Sequence, residues 1–410
     1  MPNPYSLGKE ICKTLFDKGY TAYFAGGWVR DQILGKESDE IDIATSAPPA
    51  AIQALFPKTI PVGIAFGVVI VMMEGIQFEV STFRKDHPYI DGRHPEGVDF
   101  STPKKDAQRR DFTINGMFYD PLTEEIYDYV GGKEDLQKRI IRAIGNPSER
   151  FAEDRLRMIR AVRFASRLGF SVEENTAEAI KSYANTLFPA VSMERVWQEL
   201  CKMAAYPHFD QSLLMLHRLG LLSVIFPQLE KCPLPELEKR VQPFSYFPLA
   251  TPPIGYLLEL FPRASLKERI DLCLYLKTGT QERKLVEFFA TSEDLFAKPQ
   301  PELHEWAHFY AHPLSELFLC IQAAKILPPH RAPYLETHKA RQKTLHQWIS
   351  RIQNKEPLLT SHHLQKAGIE PGKLMGFLLK EGERLAINQL LSSPEEVLTL
   401  LKRSSSWPEP

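Results

Sequence analysis

Short β-like runs over residues 20–24, 40–44, 67–73 and 76–83 predict strands in the first 145 or so residues, with Gly75 turning the last two into a hairpin. Apolar positions three and four apart over 9–18 and 29–34 predict helices between them. From about Pro147 the helical period takes over and runs to the C-terminus, through 148–168, 173–186, 192–205, 210–220 and 266–277 among others. Pro/Phe-rich residues 233–254 and Pro-rich 298–301 and 327–333 predict breaks in that pattern. The layout is an α+β head followed by a long helical body.

Composition changes this picture little. The 410 residues are 43% hydrophobic and 25% charged, as in an ordinary globular protein of several domains. No stretch approaches a membrane span, and the first residues do not form a signal peptide. Five scattered cysteines (Cys12, Cys201, Cys232, Cys273, Cys320) suggest neither a disulfide framework nor a zinc site, so a cytoplasmic protein is expected. The net charge of −1 alone argues against a nucleic-acid partner, but a basic groove needs only a local excess.

The chemistry gathers early. In a strand, Glu40 and Asp42 share one face while Ile41 and Ile43 share the other. Such a pair can hold a hard divalent cation, although a solvated edge strand would look the same. On 76–81, Ile76, Phe78 and Val80 form a buried face opposite Gln77, Glu79 and Ser81. Should the two strands be neighbours, Glu79 would join the pair. Gly26 and Gly27 precede a helix and let backbone approach a phosphate, with Arg30 adding charge. A lone glycine pair is more often an ordinary turn; the carboxylates a dozen residues on give it meaning.

Farther along, Arg109–Asp120 contains Arg110, Asp111 and Asn115. If helical, the last two share a face and can hydrogen-bond a ribose. The Arg-rich helix over 153–163 carries Asp154 and Arg157 as neighbours three apart, with Arg160 and Arg163 beyond them. The plain reading is an intrahelical ion pair. The sharper one is an acceptor beside a donor, matching the amino group and ring nitrogen shared by cytosine and adenine and rejecting uracil and guanine. Polar residues 83–96 are long enough for a lid. The sequence has no P-loop, no His-Glu-x-x-His and no Gly-x-Ser-x-Gly.

Taken in order, Gly26–Asp31, Glu40–Asp42, Arg109–Asn115, Glu153–Arg157 and Ser192–Leu200 resemble the class II tRNA nucleotidyltransferases, the bacterial CCA-adding enzymes and the related poly(A) polymerases. The resemblance implies a polymerase-β-like nucleotidyltransferase head (1–145), then an all-α neck that binds the base (146–205), body (206–280) and tRNA-gripping tail (281–410). It implies template-independent addition of CCA to the 3′ end of tRNA from CTP and ATP, with release of pyrophosphate, by two-metal nucleotidyl transfer in the cytoplasm, with no membrane partner. Catalysis would fall to Glu40, Asp42 and Glu79, with Mg²⁺ on Glu40 and Asp42. The nucleotide would meet Gly26, Gly27, Arg30, Arg110, Asp111, Asn115, Asp154, Arg157, Arg160 and Arg163. One departure stands out: the family usually has Asp-x-Asp where this chain has Glu40-Ile41-Asp42. A poly(A) polymerase or A-adding enzyme is the nearest alternative, and a non-catalytic RNA- or nucleotide-binding protein the alternative of another class. Retention of Tyr89–Arg93 favours an enzyme able to complete the A step.

Overall fold

Among the described residues of the first 130, nine short strands alternate with helices: β1 (Ala22–Ala25), β2 (Asp42–Thr45), β3 (Thr59–Gly63), β4 (Val68–Met73), β5 (Ile76–Thr82), β6 (Arg84–Asp86), β7 (Val98–Phe100), β8 (Met117–Asp120) and β9 (Glu125–Asp128). This is a computed structural model, which describes residues 3–87 and 96–408. Seven strands form one mixed sheet in the order β3-β4-β5-β2-β1-β8-β9, while β6 and β7 pair as a separate ribbon. The pairs are antiparallel except β2 with β5, which run parallel. Tyr89–Arg93 and most of the expected lid lie outside the described residues.

The pattern that predicted the strands also explains their core. Phe78 and Val80 of β5, Val69 and Val71 of β4, Ile43 of β2 and Phe24 of β1 are almost wholly buried. Helix α1 (Pro4–Phe16) presents Leu7, Gly8, Ile11, Cys12 and Leu15 as one stripe and packs on β1 and β2. Gly8 is required there, since a Cβ would lie 2.9 Å from the Phe24 ring. Each such large apolar side chain contributes roughly 1.5–3 kcal/mol on burial.

After α2 (Gly27–Ile33), α3 (Pro49–Leu55), α4 (Pro103–Arg109) and α5 (Gly132–Lys138) the chain becomes helical: α6 (Pro147–Glu153), α7 (Leu156–Leu168), α8 (Glu174–Tyr183) and α9 (Met193–Ala204). Four local expectations differ from what is found. Residues 148–168 are two helices, broken at Asp154, whose carboxylate accepts the Leu156 N–H at 3.0 Å; the side chain competes with the helical ladder and wins. Residues 111–115 are not an α-helix but a turn ending in a short 3₁₀ segment, Thr113–Asn115. Glu40 lies before β2 rather than within it. The proline-rich stretches 233–254 and 327–333 also contain helices, Leu234–Val241 and Pro328–Thr344; the prolines at their starts are tolerated in a first turn, whereas Pro333 lies inside the second helix.

Residues Met1–Glu238 form one unit and Lys239–Pro410 a second, all-helical in its regular structure. The second unit is built around rings. Phe296 meets Trp306, Phe309 and Phe318 edge-on at 5.0–5.3 Å, and buried His338 accepts or donates a 2.8 Å hydrogen bond with the Tyr310 hydroxyl. No helix among the described residues is long and apolar enough to cross a membrane.

Candidate active site

At one end of the sheet three neighbouring strands bring Ala25, Asp42 and Glu79 level: Ala25 pairs with Asp42 and Asp42 with Glu79. Residues directly opposite in a ladder project to the same face, so the two carboxylates are neighbours while Ile43 and Val80 turn inward. All of Glu40, Asp42 and Glu79 are solvent-accessible. Burial of the carboxyl among protein atoms, then the charges of Glu79 and Glu40, push Asp42 up to about 6, and Arg110 opposes them. The site is therefore short of positive charge. Its hard oxygen donors fit Mg²⁺, an ion that keeps several waters and needs only one or two carboxylates.

Immediately after Ala25, Gly26 adopts φ 68° and ψ −124°, a backbone region closed to most side chains. A Cβ there would also lie 3.3 Å from Arg110 Nη1. Arg110 is held in place on three sides. Asp106 accepts from its Nε and Nη2 at 3.2 and 3.0 Å, the Asn115 carbonyl accepts from Nη1, and the Phe118 ring lies 4.9 Å beneath. Burial would raise the Asp106 carboxyl, but the guanidiniums of Arg110 and of Arg109, which donates to its other oxygen at 2.9 Å, outweigh it and hold the group below the usual carboxylate range. Asp106 was not apparent from sequence, although its spacing of four from Arg110 on a short helix was a signal.

Arg30 is placed differently from a cation offered to solvent. It is 2% exposed, and its Nε and Nη2 each donate to Asp31 at 2.8 Å while Nη1 donates to Asn115 Oδ1 at 2.8 Å. From Asn115 the chain of contacts continues: Nδ2 donates to Asp111 Oδ1 at 3.3 Å, and Asp111 Oδ2 accepts from Arg160 Nε and Nη2 at 2.9 and 2.5 Å. Asp111 and Asn115 thus share a face as expected, but across a turn. Burial raises the Asp111 carboxyl, and Arg160 more than reverses it, leaving the group ionised well below its ordinary range. Asp111 and Arg160 are 49 residues apart and join the sheet region to α7.

The two residues expected to read a base do not pair with each other. Arg157 Nη1 donates to Glu153 and to the Arg150 carbonyl, and Nη2 to the Arg109 carbonyl at 3.0 Å. Asp154, at the helix break, accepts from Arg195 Nη2 of α9 at 3.3 Å. Farther along α7, buried Arg163 donates to buried Glu199 at 2.6 Å and stacks over Phe164 at 4.2 Å. Arg195 and Glu199 sit in the recognised stretch Ser192–Leu200 but were not picked out as partners, because nothing local links α9 to α7.

This fold and constellation define a template-free polymerase head. Residues 22–142 match the family model described as the Poly A polymerase head domain, and residues 169–232 the probable RNA and SrmB-binding site of polymerase A. At full length, the chain is 33% identical to the CCA-adding enzyme of Pediococcus pentosaceus, covering 98% of each. It is similar to the crystal structure of the Bacillus stearothermophilus CCA-adding enzyme in complex with CTP, with TM-score 0.80, 29% identity and 98% of each chain covered. It shares the fold of the Thermotoga maritima CCA-adding enzyme complexed with tRNA-CCA, with TM-score 0.70, 20% identity and coverage of 97% and 94%. The chain belongs to the CCA-adding enzyme family of tRNA nucleotidyltransferases.

Proposed function

We propose that this chain adds C, C and A to the 3′ end of tRNA from CTP and ATP, using Mg²⁺. The observation that carries the reading is the side-by-side placement of Asp42 and Glu79 beside the Gly26 turn, in a chain similar along its whole length to CCA-adding enzymes. In each step the 3′-hydroxyl of the RNA gives up its proton to solvent as its oxygen bonds to the α-phosphorus, the bond from that phosphorus to the bridging oxygen breaks, and pyrophosphate leaves. Glu40 and Asp42 would hold Mg²⁺, which when bound would supply positive charge to offset the triphosphate and the leaving group.

The chain's own residues supply position. Gly26 and Gly27 let backbone approach the phosphates, with Arg110 locked beside them by Asp106. Arg30 is a positioning group: it fixes Asn115, and Asn115 with Asp111 offers the ribose a hydrogen-bonding pair already oriented by Arg160. Asp154 accepts the base's amino hydrogen and Arg157 donates to the adjacent ring nitrogen. Both are pre-set by contacts outside their own helix, to Arg195 and to the Arg109 carbonyl. Arg163 and Glu199 support that wall from behind. We place the head at 1–145, neck at 146–205, body at 206–280 and tail at 281–410, and the protein in the reducing cytoplasm on the strength of its five free cysteines.

The test incubates the protein with a tRNA lacking its terminal CCA, labelled CTP or ATP, and Mg²⁺. Incorporation of two C residues and then one A is expected. No incorporation from either nucleotide overturns the enzyme reading, and ATP-only homopolymer growth on generic RNA replaces it with poly(A) polymerase activity. Asp154→Ala is expected to let UTP and GTP compete, with discrimination falling about 10–100-fold, as for loss of a buried hydrogen-bonding partner; unchanged selectivity refutes the base-reading role.

A further inference from the structure

A second cluster of ligating side chains lies in the C-terminal unit and takes no part in the proposed reaction. His304 and His308 are one turn apart on the helix Leu303–Ala311, hence on one face. Glu383 faces them from the helix Lys373–Asn388, which packs against the first. Both imidazole Nε2 atoms point at the same carboxylate oxygen, Glu383 Oε2, from 3.2 Å for His308 and 3.9 Å for His304. The rings meet edge-to-face with centroids 4.6 Å apart. One ligand atom from each of the three lies within 4.8 Å of the others, and among the described residues this is the one trio of its kind.

An ordinary hydrogen bond accounts for only part of this. His308 alone satisfies Glu383, whereas His304 stands beyond hydrogen-bond range of the same oxygen and is aimed at it. The neighbours are arranged so that Glu383 stays available. Arg384, the nearest competing cation in sequence, is occupied by both oxygens of Glu381 at 2.7 and 2.9 Å and by Glu302 at 2.8 Å. The backbone at His304 is fixed by donation from its N–H to Asn388 Oδ1 at 2.9 Å, across the same helix pair. His308 is 43% exposed and Glu383 34%, so an ion and its completing water can enter from solvent.

We propose that His304, His308 and Glu383 form a site for a divalent transition-metal ion of the zinc class that clamps the two helices together. Two neutral imidazoles and one carboxylate are the donor set such ions favour, whereas Mg²⁺ prefers oxygen alone. Bonds of about 2.0–2.1 Å in a tetrahedron set donors about 3.3 Å apart. The His308–Glu383 separation already has that value, and side-chain rotation closes the rest. Three protein ligands leave a fourth position for water.

The experiment uses the full chain, stripped with chelator and kept in excess MgCl₂ so that the head carboxylates are occupied. Titration with ZnCl₂ by calorimetry is expected to show one site, with Co²⁺ giving the visible absorption of a tetrahedral complex. Zn²⁺ is also expected to raise the melting temperature of the C-terminal unit. In His304→Asn/His308→Asn, and separately in Glu383→Gln, affinity should fall roughly tenfold or more and the melting shift should vanish, with CTP incorporation unchanged. Absence of Zn²⁺ binding in the unaltered chain, or affinity in the Glu383→Gln and double-histidine variants equal to that of the unaltered chain, overturns the proposal. Circular dichroism of each variant without Zn²⁺ reports its folding, and if the double variant unfolds, Glu383→Gln alone decides.

Discussion

Both units bury aromatic rings, but they differ in how much charge they bury. In the first, charged groups go inside: Arg30, Asp31, Asp106, Asp135, Arg157, Arg163 and Glu199 are all at most 8% exposed. In the second, Arg269 is the one buried Asp, Glu, Lys or Arg among the described residues, and Phe296, Trp306 and Tyr310 pack against His338. Buried ion pairs are poor sources of stability, since desolvation offsets most of their attraction, but they hold dipoles and charges in fixed directions. Apolar rings do the reverse: they stabilise strongly and present no field. The first unit therefore carries most of the oriented internal charge of the chain, and the second very little.

That contrast can be broken from either side. The largest effect is expected at the sheet end, where Asp42→Asn should lower CMP incorporation on the order of 10³-fold or more while leaving the fold intact, measured by single-turnover labelling and circular dichroism. An active Asp42→Asn would mean that the negative field described here is not the catalytic one. Phe318→Ala removes a fully buried ring and should cost the second unit about 3–5 kcal/mol, read as an early thermal transition. Glu199→Gln leaves Arg163 charged and buried, at a cost of about 3 kcal/mol; adding Arg163→Met should recover much of it. If the double variant is no better than the single, the pair is not coupled as its 2.6 Å contact implies.

The smallest effect sharpens the comparison through pH. Asp42 has a folded pKa raised to about 6, so its contribution to stability is present below its unfolded value and is lost as pH rises through about 6. Burial, then Arg341, lowers His338 to about 4; its contribution is present above the unfolded value near 6.5 and is lost as pH falls toward 4. Between pH 7 and 5, in chelator, the first unit should therefore gain up to about 1 kcal/mol, discounted for the solvent around Asp42, while the second loses roughly 1–2 kcal/mol. Hydrogen exchange resolves the two, and drift in the same direction in both units would contradict this assignment of charge.

Much of this was legible in the chain, for reasons that vary by element. Alternation over Ile76–Ser81 fixed which face Glu79 occupies, and the register Asp42 to Glu79 then needed only the two strands to be neighbours. The α+β head and helical remainder followed from a change of period near Pro147. By contrast, the break at Asp154 was invisible, because aspartate fits a helix by periodicity and reveals itself only when its carboxylate takes the Leu156 N–H. The Arg30–Asp31 contact was hidden too, since adjacent residues on a helix do not normally face each other. Proline misled in the opposite direction: Pro328 marks a helix start, the same residue type that elsewhere marks an end.

The parallel pairing of β2 with β5 has a consequence for how the protein comes into being. Two parallel strands cannot be joined by a tight turn, and here α3, β3 and β4 intervene before Glu79 arrives beside Asp42. The carboxylates are therefore remote in a nascent or partly folded chain and come together only once a long loop has closed. If the proposed catalytic roles of Glu40, Asp42 and Glu79 hold, a growing polypeptide carrying Glu40 and Asp42 alone has no assembled site, and the sheet's topology withholds competence until the head has folded through Glu79.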